Sequence, residues 1–153
     1  MIKIELIIFD LDGTLIDSEK DIINGVNFTL KSVGLKGKSY DEVKYYIGTG
    51  VVDLIKKALG KDNIHLLEKA LPIFEKYYQE HATDNSVLYP NVKEILEYFK
   101  DKKKTIITNK KHKFAVQVLK ALGIYDHFQD IIGGDDLGCL KPSSCPLDRI
   151  IDK

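Results

Sequence analysis

Residues 2–14 read IKIELIIFDLDGT, and this stretch decides the fold of the chain. The part up to Phe9 is rich in isoleucine and nearly continuous in apolar residues, which is typical of a strand buried in a parallel sheet. Two acids and a turn signal end it at Asp10-Leu11-Asp12-Gly13-Thr14. In open parallel sheets ligands bind beyond the carboxyl ends of the strands, so we predict that Asp10 and Asp12 lie at a binding edge.

A helical period runs from about residue 16 to residue 86, without any strand pattern. Residues 18–21 and 39–42 each match a capping box, which predicts the start of two of the helices. Pro72 interrupts the last helical pattern, and we expect it to kink or split that helix. We therefore predict an inserted helical domain over residues 16–86.

Beyond the helical segment, strands and helices alternate. Residues 105–108 predict a short buried strand, residues 128–132 a further one, and residues 101–104 a solvated turn. Alternation of this kind implies a parallel sheet with right-handed crossovers. The predicted fold class is therefore α/β: an incomplete Rossmann-like parallel sheet core, residues 1–15 and 87–153, interrupted by the helical domain.

The composition is that of a globular protein without a charge bias: 44% of the residues are hydrophobic, 30% are charged, and the formal net charge is +0. A net charge of zero argues against a protein that binds nucleic acid through the electrostatic field of its overall charge. No apolar run approaches the length of a membrane span, and Glu5 within the apolar N-terminal stretch argues against a signal peptide. Cys139 and Cys145 are too few for a disulfide framework or a four-thiolate zinc site. We therefore predict a cytoplasmic protein with no nucleic-acid or membrane partner.

Polar residues follow each predicted strand, and a lysine lies in the next loop; the set is Asp10 and Asp12, Thr108-Asn109, Asp135-Asp136, and Lys141. A carboxylate can attack phosphorus, but it meets a dianion, and Mg²⁺ is suited to neutralise that charge. A lysine ammonium and a threonine hydroxyl can hold the remaining phosphoryl oxygens. A second aspartate can protonate the leaving oxygen and then activate water. The set therefore suits phosphoryl transfer.

Each motif alone also has a purely structural interpretation. The Asp-x-Asp-Gly sequence is commonly a turn or part of a calcium loop, and Thr108-Asn109 alone is most often a helix N-cap. Residues 133–136 alone read as a turn, and residues 141–142 as a loop. Their order along the chain, with placement at predicted strand ends, favours a shared site.

The motifs resemble those of a known superfamily. Residues 9–18, FDLDGTLIDS, are similar to the first signature of the haloacid dehalogenase superfamily. Thr108-Asn109-Lys110 resembles its second signature, and Leu140-Lys141-Pro142 its third. The intervening helical segment resembles the helical cap of the phosphoglycolate phosphatase-like branch.

The resemblance implies a role for each matching residue. Asp10 would be the nucleophile and a Mg²⁺ ligand, and Asp12 the general acid and base with its backbone carbonyl on the metal. Thr108, helped by the Asn109 backbone, would bind the phosphoryl group. Lys141 would offset charge on the phosphate and the nucleophile.

The cap of the family selects the substrate, which makes a loop of the helical segment a candidate binding element. Gly48-Thr49-Gly50 breaks the helical pattern between two predicted cap helices. We predict that it contacts the substrate, with a plain helix linker as the alternative.

The sequence departs from the family in its fourth motif, a Gly-Asp followed by another acid. Gly134-Asp135-Asp136 precedes Lys141, whereas the fourth motif of the family follows the third. A metal carboxylate and the strand that flanks the first strand are then missing, and we expect weakened Mg²⁺ binding. We also expect either a fragment of a longer product or self-association through the exposed edge of the first strand.

The resemblance implies a Mg²⁺-dependent phosphomonoester hydrolase acting on a small, phosphoglycolate-like phosphorylated metabolite through an aspartyl-phosphate. One alternative is a truncated, catalytically impaired member that folds but lacks the last metal carboxylate. A second alternative is a phosphomutase or dehalogenase of the same superfamily.

Overall fold

The computed structural model describes residues 3–151, which form two compact units. The core unit is the chain before Ser18 and after Ser86, and the helical unit is Ser18–Ser86. Ile2 of the predicted first strand, and positions 1, 152 and 153 of the predicted core, lie outside the described residues. In chain order the elements are β1 (Leu6–Phe9), β2 (Ile16–Asp17), α1 (Glu19–Ser32), α2 (Tyr40–Lys44), α3 (Val51–Leu59), α4 (Leu67–His81), β3 (Val87–Leu88), α5 (Val92–Tyr98), β4 (Lys103–Ile107), α6 (His112–Ala121), β5 (Asp130–Ile132) and α7 (Cys145–Ile151), with 3₁₀ turns at Lys61–Leu66 and Tyr125–His127.

The core unit is built on a three-stranded parallel sheet in the order β1-β4-β5. Phe9 pairs with Ile106, and Ile107 pairs with Ile132, so the three strands end at the same edge. The predicted parallel sheet is confirmed. Strand β1 is shorter than predicted, because its partner β4 begins at Lys103, which pairs with Leu6.

Apolar side chains pack on the sheet. Ile107, Ile132 and Ile150 form a buried cluster, with the partly buried Leu6, Ile8 and Leu137 against it. Helix α6 buries its apolar stripe, which consists of Phe114, Ala115, Val118 and Leu119. The strands therefore hold their carboxyl ends in a fixed register, which positions the loops that follow them.

Two features of the core unit correct the sequence analysis. Residues 16–86 were expected to contain no strand, but Ile16–Asp17 pairs antiparallel with Val87–Leu88. So short a ladder has no recognisable period, because it depends on pairing between distant segments. Lys104 was expected in a solvated turn, but it is 1% exposed. Its ammonium donates to the carbonyl oxygens of Phe99 and Lys102 at 2.6 and 3.0 Å. These two carbonyl groups, in the segment after α5, compensate the buried charge.

The helical unit is organised around α1 and α4. Helix α1 buries Ile22, Ile23, Val26 and Leu30, and α4 buries Ala70, Phe74 and Tyr78. A Cβ at Gly25 would lie 2.9 Å from the Phe74 ring, so glycine lets the two helices approach closely. None of the helices among residues 3–151 is long and apolar enough to span a membrane.

The predicted helix signals of this unit were partly right. The capping box of residues 39–42 is confirmed, with Ser39 and Glu42 bonding each other's backbone. The capping box of residues 18–21 was wrong, because Ser18 makes no side-chain cap bond and Asp21 instead bonds the backbone of Asn85 and Ser86. Pro72 does not split the helix, because α4 continues through it, and the kink expected as the alternative stays a prediction.

Candidate active site

The turn after β1 carries both candidate acids. Asp10 accepts a hydrogen bond from the Leu11 N–H on its Oδ1 at 2.8 Å. Leu11 itself is fully buried and anchors the segment between the two acids. Gly13 reverses the chain with a φ of +80°, a conformation that glycine adopts without the penalty of a Cβ, and its N–H donates to the Ile16 carbonyl at 2.9 Å.

Lys141 joins the ends of β1 and β4. Its Nζ lies 2.7 Å from Oδ1 of Asp10 and donates to the Ile107 carbonyl oxygen at 2.8 Å. The pair is open to solvent, with 33% of the Lys141 side chain and 44% of the Asp10 side chain exposed. The structure therefore brings these two predicted site residues into direct contact at the predicted edge of the sheet.

Asn109 holds the loop that carries Lys141. Its Oδ1 accepts from the Lys141 N–H at 2.8 Å, and its Nδ2 donates to the Lys141 carbonyl at 3.0 Å. The sequence resemblance implied a role only for the Asn109 backbone, so the side-chain clamp was not predicted. An asparagine amide matches the donor and acceptor of a peptide unit, but its partner is 32 residues away and has no sequence signal.

Thr108 directly follows β4 and is buried, with 4% of the residue exposed. Its N–H donates to the Ile132 carbonyl at 2.9 Å, which extends the sheet by one bond. Its Oγ1 accepts from the Lys110 N–H at 3.1 Å. Because that bond uses an oxygen lone pair, the Thr108 hydroxyl proton remains available as a donor to a ligand.

Lys110 contacts Asp12, the second candidate acid, and the sequence did not predict this contact. Its Nζ lies 2.6 Å from Oδ1 of Asp12, and the two residues are 98 positions apart. Only 6% of the Lys110 side chain and 16% of the Asp12 side chain are exposed. The only available signal was the position of Lys110 directly after Thr108-Asn109.

The acids after β5 bind the start of α6. Oδ1 of Asp135 accepts from the His112 N–H at 2.7 Å. Oδ2 of Asp136 accepts from the Gly133 N–H at 2.7 Å and lies 2.8 Å from Nδ1 of His112. A carboxylate stabilises the N-terminus of a helix, so these contacts give the two acids a structural function.

Residues 48–50 precede α3 in the helical unit. Gly50 has a φ of +92°, and the Thr49 hydroxyl donates to the Asp53 carboxylate. Hydrogen bonds from the Lys57 ammonium and then from Thr49 hold the pKa of the Asp53 carboxyl below its ordinary value. The Thr49 side chain is thus engaged with α3, and its contact with a substrate stays a prediction.

The two cysteines, which sequence analysis treated as too few for a framework, form one disulfide between Cys139 and Cys145. The bridge encloses Lys141 within a short loop. Together with the Asn109 clamp, it restrains the backbone that presents the Lys141 ammonium.

Asp10 and Asp12 carry carboxylate oxygens, which are the kind of ligand that Mg²⁺ prefers. Among residues 3–151 there is no group of three or more His, Cys, Asp and Glu side chains that could hold a metal ion. Mg²⁺ does not require one, because it is commonly bound by one or two carboxylates together with substrate phosphate and water. These carboxylates are therefore suited to a Mg²⁺ ion whose remaining ligands are substrate phosphate oxygens and water.

Comparison with known proteins identifies the family. The family model described as haloacid dehalogenase-like hydrolase matches residues 7–153. A phosphoglycolate phosphatase of Chromobacterium violaceum is 36% identical over 94% of this chain and 68% of its own length. A phosphoglycolate phosphatase of Aquifex aeolicus is 38% identical over 96% of this chain and 68% of its own length. A crystal structure described as a predicted phosphoglycolate phosphatase from Haemophilus somnus 129PT superposes with a TM-score of 0.92 at 33% identity, covering 99% of this chain and 72% of the other.

The fold and the matched residues define a hydrolase with an α/β core. The chain belongs to the haloacid dehalogenase-like hydrolase family, and it is similar to the phosphoglycolate phosphatases within it. The predicted fold class and the predicted family are both confirmed.

Proposed function

We propose that this protein is a Mg²⁺-dependent phosphomonoester hydrolase that acts on a small phosphorylated metabolite of the phosphoglycolate type. The observation that carries the proposal is the Lys141 ammonium, which contacts both Asp10 and the last carbonyl of β4. One cation at this point can offset the charge of a nucleophilic carboxylate and of a phosphate dianion. The names of the relatives support the substrate class.

In the first step, a carboxylate oxygen of Asp10 attacks phosphorus while the bond from phosphorus to the ester oxygen breaks. Asp12 transfers its proton to the departing oxygen, which leaves as an alcohol. The Thr108 hydroxyl and the Lys141 ammonium hold the phosphoryl oxygens. When bound, Mg²⁺ neutralises the repulsion between the carboxylate and the phosphate.

In the second step, the Asp12 carboxylate removes a proton from water, and the water oxygen attacks the phosphorus of the aspartyl-phosphate. The bond between phosphorus and the Asp10 oxygen then breaks, which regenerates the Asp10 carboxylate and releases inorganic phosphate. Asp12 regains the proton that the first step used, so the cycle closes without a further reactant.

The decisive variant is Asp10→Asn. The asparagine amide cannot attack phosphorus as the carboxylate does. We therefore expect the rate of phosphate release from phosphoglycolate in the presence of Mg²⁺ to fall by at least about 1,000-fold. Urea denaturation of the same variant checks that the fold is intact. Activity equal to the parent protein in a folded Asp10→Asn variant would refute the nucleophile.

A second candidate function is a binding protein that holds phosphate or Mg²⁺ without turnover. It is favoured by the absence of a group of three or more metal-ligating side chains among residues 3–151, because a weakly held Mg²⁺ ion offsets less of the charge that opposes phosphoryl transfer. Calorimetric titration with phosphate and Mg²⁺, combined with an assay of phosphate release, separates the two. Binding without release supports this second candidate and contradicts the first.

A further inference from the structure

Two contacts between a lysine and an aspartate involve the candidate acids after β1, and they differ in exposure. The pair formed by Lys141 and Asp10 is about one third to one half exposed, whereas Lys110 and Asp12 are 6% and 16% exposed. Enclosure strengthens an ion pair and makes either partner costly to remove. The enclosed pair therefore constrains the Asp12 carboxyl group more tightly than the open pair constrains Asp10.

The chemistry of the ammonium determines which oxygen of Asp12 can carry a proton. A lysine ammonium has three hydrogen-bond donors and no acceptor. Oδ1 of Asp12, at 2.6 Å from the Lys110 Nζ, can therefore only accept at that position. The carbonyl oxygen of a protonated carboxyl group accepts better than its hydroxyl oxygen, so this contact favours Oδ2 for a proton that Asp12 transfers to a leaving group.

Lys110 is itself held in place through its backbone. Its N–H donates to Thr108 Oγ1 at 3.1 Å, and its carbonyl accepts from the Gly134 N–H at 2.8 Å. The approach of Gly134 requires glycine, because a Cβ there would lie 2.4 Å from the Asn109 carbonyl oxygen. The ends of β4 and β5 thus orient the lysine before any ligand is present.

We propose that Lys110 is a positioning residue that acts through Asp12. Its ammonium holds Oδ1, directs the transferable proton to Oδ2, and stabilises the carboxylate that Asp12 becomes when it protonates the leaving oxygen. No bond to Lys110 forms or breaks in this step. The inference rests on the proposed function, since it assigns Asp12 the proton transfer of the first half-reaction.

The dependence of the rate on the leaving group tests this role. An alkyl alcohol is a poor leaving group that needs a proton, whereas dinitrophenolate leaves without one. We expect Lys110→Met to lower kcat/KM for phosphoglycolate by about 100-fold, the typical contribution of general acid catalysis. We expect less than about 3-fold loss with dinitrophenyl phosphate, because proton donation then contributes little.

Further variants make the test specific. Asp12→Asn should show the same difference between the two substrates, and the double variant should lose no more than Asp12→Asn alone, because interacting residues are not additive. Lys110→Arg retains a donor cation and should recover part of the phosphoglycolate activity. Lys113→Met removes an exposed lysine from the same helix start and should leave both rates unchanged. Lys110→Gln takes the place of the methionine variant if that variant does not fold.

The outcomes are distinguishable. Equal losses on both substrates, or no loss on either, in a folded Lys110 variant would overturn the positioning role while leaving the hydrolase intact. Additive losses in the double variant would overturn it as well. If the unmodified protein releases no phosphate from either substrate, the proposed function fails first, and the role of Lys110 in it fails with it.

Discussion

Two carboxylates that lie close together in the sequence occupy opposite environments in the two units. Asp21, in the helical unit, is 1% exposed and accepts hydrogen bonds from the backbone N–H groups of Asn85 and Ser86 and from both of their side chains. Asp10, in the core unit, has a side chain that is 44% exposed, and its contacts with Leu11 and Lys141 converge on Oδ1. A carboxylate offers about four lone-pair sites. The protein itself fills those of Asp21, whereas the exposed side of Asp10 can receive a ligand.

The difference separates a structural acid from a candidate catalytic one. Buried carboxylates are stable only when donors surround them, and Asp21 obtains its donors from residues 85 and 86 at the far end of the helical unit. It thereby fastens the start of α1 to the segment that leaves the unit. Asp10 is instead held by the Leu11 N–H and by the Lys141 ammonium, and a phosphate group can bind the same ammonium.

The largest expected effect concerns Asp21. Asp21→Ala leaves several buried donors without an acceptor, and we expect the free energy of unfolding to fall by about 3 kcal/mol. The matched Asp10→Ala variant removes a partly exposed acid, and its stability should change by less than about 0.5 kcal/mol. Urea denaturation of both variants at neutral pH measures the difference. Similar losses of stability at the two positions would contradict the distinction between a structural Asp21 and a candidate catalytic Asp10.

An intermediate effect is expected at Asn109. Asn109→Ala removes both hydrogen bonds to the Lys141 backbone, which should cost about 1–2 kcal/mol of stability. Because Lys141 then loses its orientation, we also expect a lower kcat/KM for phosphoglycolate. Asn63→Ala is the control, since the Asn63 amide bonds only locally to the Leu59 carbonyl among the contacts described for it. Unchanged activity in a folded Asn109→Ala variant would contradict the clamp.

The smallest expected effect is the pH response of Asp53 in the helical unit. The bonds from Lys57 and Thr49 lower the pKa of Asp53 from its ordinary value of 3.8. A lowered pKa in the folded state contributes stability above the ordinary value, and this is lost as the pH falls through the folded pKa. We expect Asp53→Asn to reduce stability at neutral pH by less than about 1 kcal/mol, since the pair is partly exposed. Denaturation at a series of pH values should show this difference disappear in acid, and a constant difference would be the contrary result.

The regular elements and the family could be predicted because their signals are local. A continuous apolar run ending in acids predicted β1, the capping pattern predicted the start of α2, and the motifs at residues 9–18, 108–110 and 140–142 predicted the family. The catalytic roles of Asp10, Asp12, Thr108 and Lys141 stay predictions. Signals of this kind depend only on neighbours along the chain, which the sequence displays directly.

The partners of the polar side chains could not be predicted in the same way. Asp21 matched a capping box but bonds residues 64 and 65 positions away, and the solvated-turn pattern at Lys104 concealed a buried ammonium. The local sequence pattern predicts a surface or cap position for each of these residues. The groups that compensate their buried charges come from other segments, which approach only when the chain folds.

The sequence by itself determined the parallel strands, the inserted helices and the hydrolase family, because hydrophobic period and motif order are properties of neighbouring residues. Only the tertiary structure decided that Lys141 pairs with Asp10, that Lys110 pairs with Asp12, and that Asn109 clamps the loop that carries Lys141. Those contacts form where the ends of separate strands meet. The strength of an ion pair depends on the distance between the charges and on their burial. Both are fixed only when the sheet has brought its strands into register.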